Sequence, residues 1–410
     1  MEGAGVNPRP VRWLTVLLSL TLLASIGAAG QPTMALPGWA IPKLISPSEI
    51  PSLHGQDLSR TIPLIGADVA WRDGFSGAGV GVLIIDDFSG SPSHGQWVAG
   101  IIHAIAPQAQ LWQISVPGLE ASQIAQALES AYRQQPQKGY TLLNYSLGSP
   151  EPYAASCPAD SSVFSDELQA RRAQLFRALD REEGLLSVAA AGNNGDPFRL
   201  DFPACLAGDV LPAAASWDET ISSGQFVFDV CQQEAVLDRP MCFSNSSLVD
   251  PPLYAPGYQS DVPGIGRNEH LNSGTSASTP VIVGGAALLT QALRASGQAV
   301  SPDRLRRLLY QTGTVIWDRR NGGRFRRLNL SAALAQVLAS RQAPSSASSE
   351  LIEVAGALDA NHDRHIDDQE IIKAVGLWVS GLPVPGTDGA RIDDALILQL
   401  SELWVRQNAF

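Results

Sequence analysis

A hydroxyl, an imidazole, a carboxylate and a side-chain amide each stand where this chain could do chemistry with them. Asn272-Ser-Gly-Thr-Ser276-Ala-Ser-Thr-Pro280 leads into an apolar helical run over 281–293. A serine at a helix start is ordinarily an N-cap, but Gly274 just before it permits close backbone approach. The free amides and dipole of that helix end favour developing negative charge. His94, in Ser93-His94-Gly95, opens a second apolar helix reaching residue 102. When neutral, its imidazole can act as a base. Asp86 directly follows the apolar run 80–85, which puts a carboxylate at a strand's carboxyl end. Asp87, its neighbour, would point the other way. Asn193, in Ala190-Ala191-Gly192-Asn193-Asn194-Gly195, ends another apolar run and can donate from its amide. Each alone has an ordinary structural reading, as a cap, a structural histidine, a turn aspartate or an Asn-Gly turn. Together they are the group types that nucleophilic catalysis combines.

The elements that must position these groups follow from the apolar pattern. Runs 80–85, 140–145 and 185–191 are short and lack polar alternation, as strands buried on both faces do. Helical stretches over 122–133 and 165–183 lie between them. This alternation predicts an α/β sandwich, helices covering both faces of a parallel sheet, with the site beyond the strands' carboxyl ends.

At 410 residues the chain is long for one average domain and short for three. Hydrophobic residues make up 45% and charged residues 17%, enough to bury a large core. The net charge of −12 argues against nucleic acid and anionic lipid as partners. Arg9 and Arg12 precede an uncharged apolar stretch over 13–29, followed by small residues. That pattern reads as a signal peptide at 1–30 and a secreted or extracytoplasmic protein, although the stretch approaches the length of an uncleaved membrane anchor. In an oxidising compartment the four cysteines allow two disulfides in three pairings. Cys231 with Cys242 would close a short loop and leave Cys157 with Cys205. The remaining boundaries are a short lead-in or pro-segment at 31–60, a main domain at 61–338, a Ser/Ala/Pro linker at 339–350 and an acidic module at 351–410.

The four motifs, in the order Asp, His, Asn, Ser, resemble the subtilisin family of serine proteases. Asp86 sits where that family's Ile-Asp-Ser/Thr-Gly places the triad aspartate. His94-Gly95 matches its His-Gly-Thr-His-Val-Ala-Gly, and Ser276 its Gly-Thr-Ser-Met-Ala-x-Pro. Asn193 matches the oxyanion asparagine of Ala-Ala-Gly-Asn, and the stretch from Asn144 to Gly148 matches a substrate-edge strand. The resemblance covers residues 61–338 and implies a three-layer subtilisin-like sandwich acting as an endopeptidase on proteins or peptides. It also implies that Ser146, Leu147, Gly148, Ala190, Ala191 and Gly192 line the substrate pocket. Asp87-Phe88 and Gln96-Trp97 depart from the family pattern, and only seven residues separate Asp86 from His94. That span can still reach roughly 26 Å, far more than a hydrogen-bonded pair needs. Sedolisins share Gly-Thr-Ser-Ala-Ser, but His94-Gly95 and Gly192-Asn193 speak against them. The competing class is a catalytically inactive binding protein that acts through its tail.

In the tail, Asp359, Asn361, Asp363, Asp367 and Glu370 occupy positions 1, 3, 5, 9 and 12 of an EF-hand loop, with His365 at position 7. The cofactor implied is calcium. Arg364 replaces the usual turn glycine. Ile366-Asp-Asp with Ile371 and Trp378 recurs as Ile392-Asp-Asp with Ile397 and Trp404, whose loop lacks the end ligands. The duplicated loop-helix resembles a dockerin, which implies a cohesin-like partner.

Overall fold

The computed structural model describes residues 36–50, 58–90, 93–148, 152–153, 157, 166–222, 225–257, 273–342, 345–361 and 365–406. The segment read as a signal peptide, 1–30, lies outside them. Nine strands form one sheet: β1 (Lys43–Leu44), β2 (Gly81–Asp86), β3 (Gln110–Ser115), β4 (Tyr140–Tyr145), β5 (Leu186–Ala190), β6 (Val210–Ser216), β7 (Leu253–Pro256), β8 (Thr314–Asp318) and β9 (Gly323–Arg327). Their spatial order is β1-β3-β2-β4-β5-β6-β7-β9-β8. All neighbours pair in parallel except β1 and β8, which run antiparallel at the two edges.

The helices are α1 (Thr61–Ile65), α2 (Ala67–Arg72), α3 (His94–Ile105), α4 (Ala121–Lys138), α5 (Glu167–Arg181), α6 (Thr275–Ala295), α7 (Pro302–Gln311), α8 (Leu330–Gln342), α9 (Ser345–Leu358), α10 (Asp368–Ser380) and α11 (Asp394–Arg406). Strand alternation divides the core in two. Val82, Ile84, Leu142, Leu186 and Val188 join side chains of α3 and α6 in one layer. Leu83, Ile85, Leu143, Tyr145 and Ala189 join those of α4 and α5 in the other. Each of the valine, leucine and isoleucine side chains, fully buried, is worth roughly 1.5–3 kcal/mol. The sandwich expected from the apolar runs is therefore present. Helix α6 is apolar and long enough to cross a membrane, but it is almost wholly buried, as a core helix is.

Two expected boundaries differ. Within the lead-in expected at 31–60, the described residues 36–50 are built into the fold, because Lys43 and Leu44 extend the sheet beside β3 and both Ala40 and Ile45 are buried. The expected linker at 339–350 is taken up by α8 and α9 except at 343–344, which lie outside the described residues. Its alanine, glutamine and leucine neighbours are helix formers and outweigh the serines. Cysteines pair as Cys157–Cys205 and Cys231–Cys242.

The C-terminal helices α9, α10 and α11 share their own core around Leu358, Ile366, Ile371, Ile392 and Leu400. Its two halves are reciprocal. Trp378 Nε1 donates to Asp394 Oδ1 at 2.9 Å, and Trp404 Nε1 donates to Asp368 Oδ1 at 2.8 Å. The repeat read in the sequence thus forms an exchange of matching contacts.

Candidate active site

Asp86 and His94 meet because of strand parity. Val82 and Ile84 face the α3/α6 layer, so Asp86, two residues on, does as well. His94 is the first residue of α3, and its Nδ1 lies 2.7 Å from Asp86 Oδ1. The departures from the family pattern have local uses. Gln96 completes a capping box with Ser93, its side chain accepting from Ser93 N–H and its own N–H donating to Ser93 Oγ. Phe88 packs on Gly95 so closely that a Cβ there would meet its ring at 2.7 Å. Trp97 is buried with its ring edge-on to His94, 5.5 Å between centroids. Asp87 does not simply point away. Its carboxylate accepts from Ser89 N–H, yet it borders the same cavity as His94.

Burial works against an imidazolium at His94. The Asp86 hydrogen bond and the charges of Asp86 and Asp87 outweigh it and raise the His94 pKa above the ordinary value. Burial likewise pushes the Asp86 pKa up, opposed by the His94 bond and by the Asp87 N–H.

Ser276 is fixed through a proline. Pro280 has no N–H, so the carbonyl four residues earlier, that of Ser276, has no helical partner. Ser146 Oγ donates to it at 3.0 Å, and Ser276 Oγ donates in return to the Ser146 carbonyl at 3.0 Å. Asn144 Nδ2 holds Ser146 Oγ from behind, also at 3.0 Å. The nucleophile candidate is thereby tied to the strand edge 146–148 that the sequence marked as substrate-lining. Gly257 lets the start of α6 pack against β6, since a Cβ there would fall 2.3 Å from Ala215 Cβ and 2.9 Å from Ser278 Oγ.

A cavity of about 600 Å³ brings Asp86, His94, Ser146, Leu147, Gly148 and Ser276 together. Ala190, Ala191 and Gly192 do not line it. They lie one strand over, and Gly192 N–H donates to Thr275 Oγ1 at 3.2 Å. Asn193 is exposed, and its Oδ1 accepts from Thr275 N at 2.9 Å and from Thr275 Oγ1 at 3.0 Å. Because the Thr275 N–H can only donate, the amide orientation is fixed and Nδ2 is left to serve a ligand.

The sequence reading missed several contributors. Thr275 lies inside the serine motif but was given no role. Asn245 has no local signal, yet its Oδ1 accepts from the N–H groups of Asn194 and Asp196 and pins the turn after Asn193. Arg172, Phe202, Leu119 and Ile124 complete the cavity wall. Ile124 and Arg172 sit on helices, Leu119 on a 3-10 turn and Phe202 in a turn, and none carries a motif that separates it from ordinary core or surface positions.

In the tail, Asp359 and Glu370 are buried. Glu370 accepts from Ala360 N at 2.7 Å and from Asp367 N at 3.0 Å, closing the loop end to end, while Asp367 caps α10. Both Glu370 oxygens thus accept backbone N–H groups, and loop residues 362–364, Asp363 among them, lie outside the described residues. Among the described residues, no three His, Cys, Asp or Glu side chains gather as metal ligands.

Comparison with known proteins identifies the family. Residues 85–336 match the family described as the subtilase family. Subtilisin BL from Lederbergia lenta is 30% identical over 267 residues, 56% of this chain and 83% of that protein. Subtilisin Savinase from the same organism matches to the same extent. Among solved structures, the prenylagaramide maturation protease PagA is similar at 22% identity and a TM-score of 0.48, covering 66% of this chain and 98% of that one.

Proposed function

The chain belongs to the subtilase family and is a subtilisin-like serine endopeptidase, and from that premise we propose that Asp86, His94 and Ser276 are its catalytic triad and Asn193 its oxyanion donor. The observation that carries this reading is the 2.7 Å Asp86–His94 pair bordering one cavity with Ser276. Ser276 Oγ leaves the Ser146 carbonyl by a side-chain rotation and attacks the scissile carbonyl of a protein or peptide substrate. His94 Nε2 takes its proton and returns it to the leaving amine, while Asp86 holds Nδ1–H and stabilises the imidazolium. Asn193 Nδ2 and the Ser276 N–H, at the start of α6, receive the oxyanion.

The test is labelling by a serine-directed fluorophosphonate together with hydrolysis of a peptide library. Wild-type protein should react and cleave, whereas Ser276→Ala should do neither while unfolding at the same temperature. Cleavage by Ser276→Ala would overturn the assignment. An unlabelled, inactive wild-type protein would leave only a binding protein acting through its tail.

The same reading places the protein outside the cytoplasm, supported by the signal-like 1–30 segment and two disulfides. The C-terminal module is proposed as an EF-hand or dockerin-like unit. It would hold one calcium ion through Asp359, Asn361, Asp363, Asp367, Glu370 and the backbone of His365. Exposed Ile372, Val379 and Leu398 on α10 and α11 support a protein partner of the cohesin type.

A further inference from the structure

One buried acid beside the site has no part in the triad. Asp201 ends a two-residue strand, Leu200–Asp201, that pairs antiparallel with Pro152–Tyr153. Its own N–H donates to the Ala191 carbonyl at 3.0 Å. The residue therefore sits between 146–148, which lines the cavity, and 190–192, the second wall that the family resemblance implies, which lies one strand over and outside the cavity lining. The carboxylate lies between their glycines. A Cβ built on Gly148 would be 3.1 Å from Asp201 Oδ2, and one on Gly192 would be 2.4 Å from it. Both walls thus end in glycine where the carboxylate stands.

Asp201 is 5% exposed, and its hydrogen bonding is one-sided. Oδ1 accepts from Asn245 Nδ2 at 3.0 Å. Oδ2 accepts from no donor among the described residues, and none of their cations pairs with it. The neighbouring Asp196 is already taken by Arg199. Burial, opposed by the Asn245 bond and helped by the charge of Asp196, pushes the Asp201 pKa up to about 7. A buried carboxylate with no cation is costly, and buried charges are ordinarily paired. An asparagine would serve Asn245 from the same position without that cost.

We propose that Asp201 forms the floor of the subsite for the residue preceding the scissile bond and selects substrates with arginine or lysine there. This rests on the endopeptidase reading, in which 146–148 and 190–192 flank that side chain. A long cationic side chain entering between Gly148 and Gly192 brings its charge to the open Oδ2, where an arginine fork or an ammonium supplies the missing donors. Asn245 fixes the other oxygen, so the carboxylate is held in place before the substrate binds.

The experiment compares kcat/KM for peptides that differ only at that residue, carrying arginine, lysine, leucine or glutamate, in the wild type and in Asp201→Asn. Fluorophosphonate labelling of each protein reports the reactive serine independently. The wild type should favour arginine and lysine over leucine at least tenfold, and benzamidine should compete with the arginyl substrate. Asp201→Asn should lower the arginine-to-leucine ratio about 10²-fold, the size expected when one member of a buried charged pair is removed. Should the variant fail to fold, the wild-type profile and benzamidine competition decide the matter alone. Normal labelling with a neutral preference that Asp201→Asn leaves in place would overturn the role of Asp201 and spare the triad. Absence of labelling in the wild type would overturn both.

Discussion

Thr275→Val removes one oxygen from a side chain of nearly the same shape, at a fully buried position next to the nucleophile. That oxygen donates to Asn193 Oδ1 and accepts from the Gly192 N–H. The Thr275 backbone N–H still holds Asn193 Oδ1 at 2.9 Å, so the amide loses one of two anchors. A neutral hydrogen bond is worth about 1 kcal/mol net. The expected fall in kcat is therefore about fivefold, well short of the 10²–10³ known for deleting the oxyanion donor of a subtilisin. The Gly192 N–H is left buried without an acceptor, which costs about 1–3 kcal/mol of stability. For a domain of this size each kcal/mol lowers Tm by about 2–4 °C. The assay is kcat and KM measured separately, with thermal unfolding followed on a Ser276→Ala background to suppress self-digestion. The two losses should also be coupled: on an Asn193→Ala background, Thr275→Val should lower kcat no further. A lowered Tm with an unchanged kcat would refute the orienting role and leave Thr275 as a packing residue.

Asn193→Ala itself should still fold, with some loss of Tm from the Thr275 N–H it deprives of an acceptor, and should lose about 10²–10³ in kcat with little change in KM; an unaffected kcat would remove Asn193 from the oxyanion hole. Because the His94 pKa is raised and only the neutral imidazole is a base, activity should rise with pH through a midpoint above 6.5. Asp87→Asn removes one of the charges that raise it and should move that midpoint down, whereas a maximum near pH 3–4 would contradict a histidine base. The same raised pKa makes the Asp86–His94 pair stabilising below the unfolded histidine value and progressively less so as pH climbs through the folded one. Calorimetry on full-length Ser276→Ala should find one calcium bound per chain, with about 2.7 kcal/mol of stabilisation of the module at a hundredfold excess over Kd. Glu370→Gln should abolish the binding, and a chelator-insensitive melt with no heat would sink the site.

How much of this was readable without coordinates depended on how far each contact reaches along the chain. Runs such as Tyr140–Tyr145 announce strands because both faces must be apolar when helices cover both sides. Edge strand β1 is invisible by the same logic. Two residues with exposed side chains carry no pattern, and only pairing with β3 makes Lys43–Leu44 a strand. The helical bridge at 339–342 and from 345 was hidden for a different reason, because serine and alanine suit linkers and helices alike.

The site divides along the same line. Ser276, His94 and Asn193 sit in compact motifs because each must occupy the end of its own element. Only seven residues separate Asp86 from His94, and parity explains why that separation suffices. A strand residue two beyond Ile84 necessarily faces the layer that holds α3, so no intervening loop is needed to turn the carboxylate round. Asp201 shows the opposite case. Nothing in Leu200-Asp201-Phe202 marks it, since its meaning comes from two glycines on separate strand ends and from Asn245, 44 residues further on. A glycine in sequence states only that a side chain is missing there. Whether the vacancy admits a turn, a helix or an acid can be decided only by what the fold brings opposite. At Gly148 and Gly192 it brings one carboxylate oxygen that the described protein leaves without a donor. For that reason the selectivity of this enzyme is proposed from the structure, while its reaction class could be read from the chain.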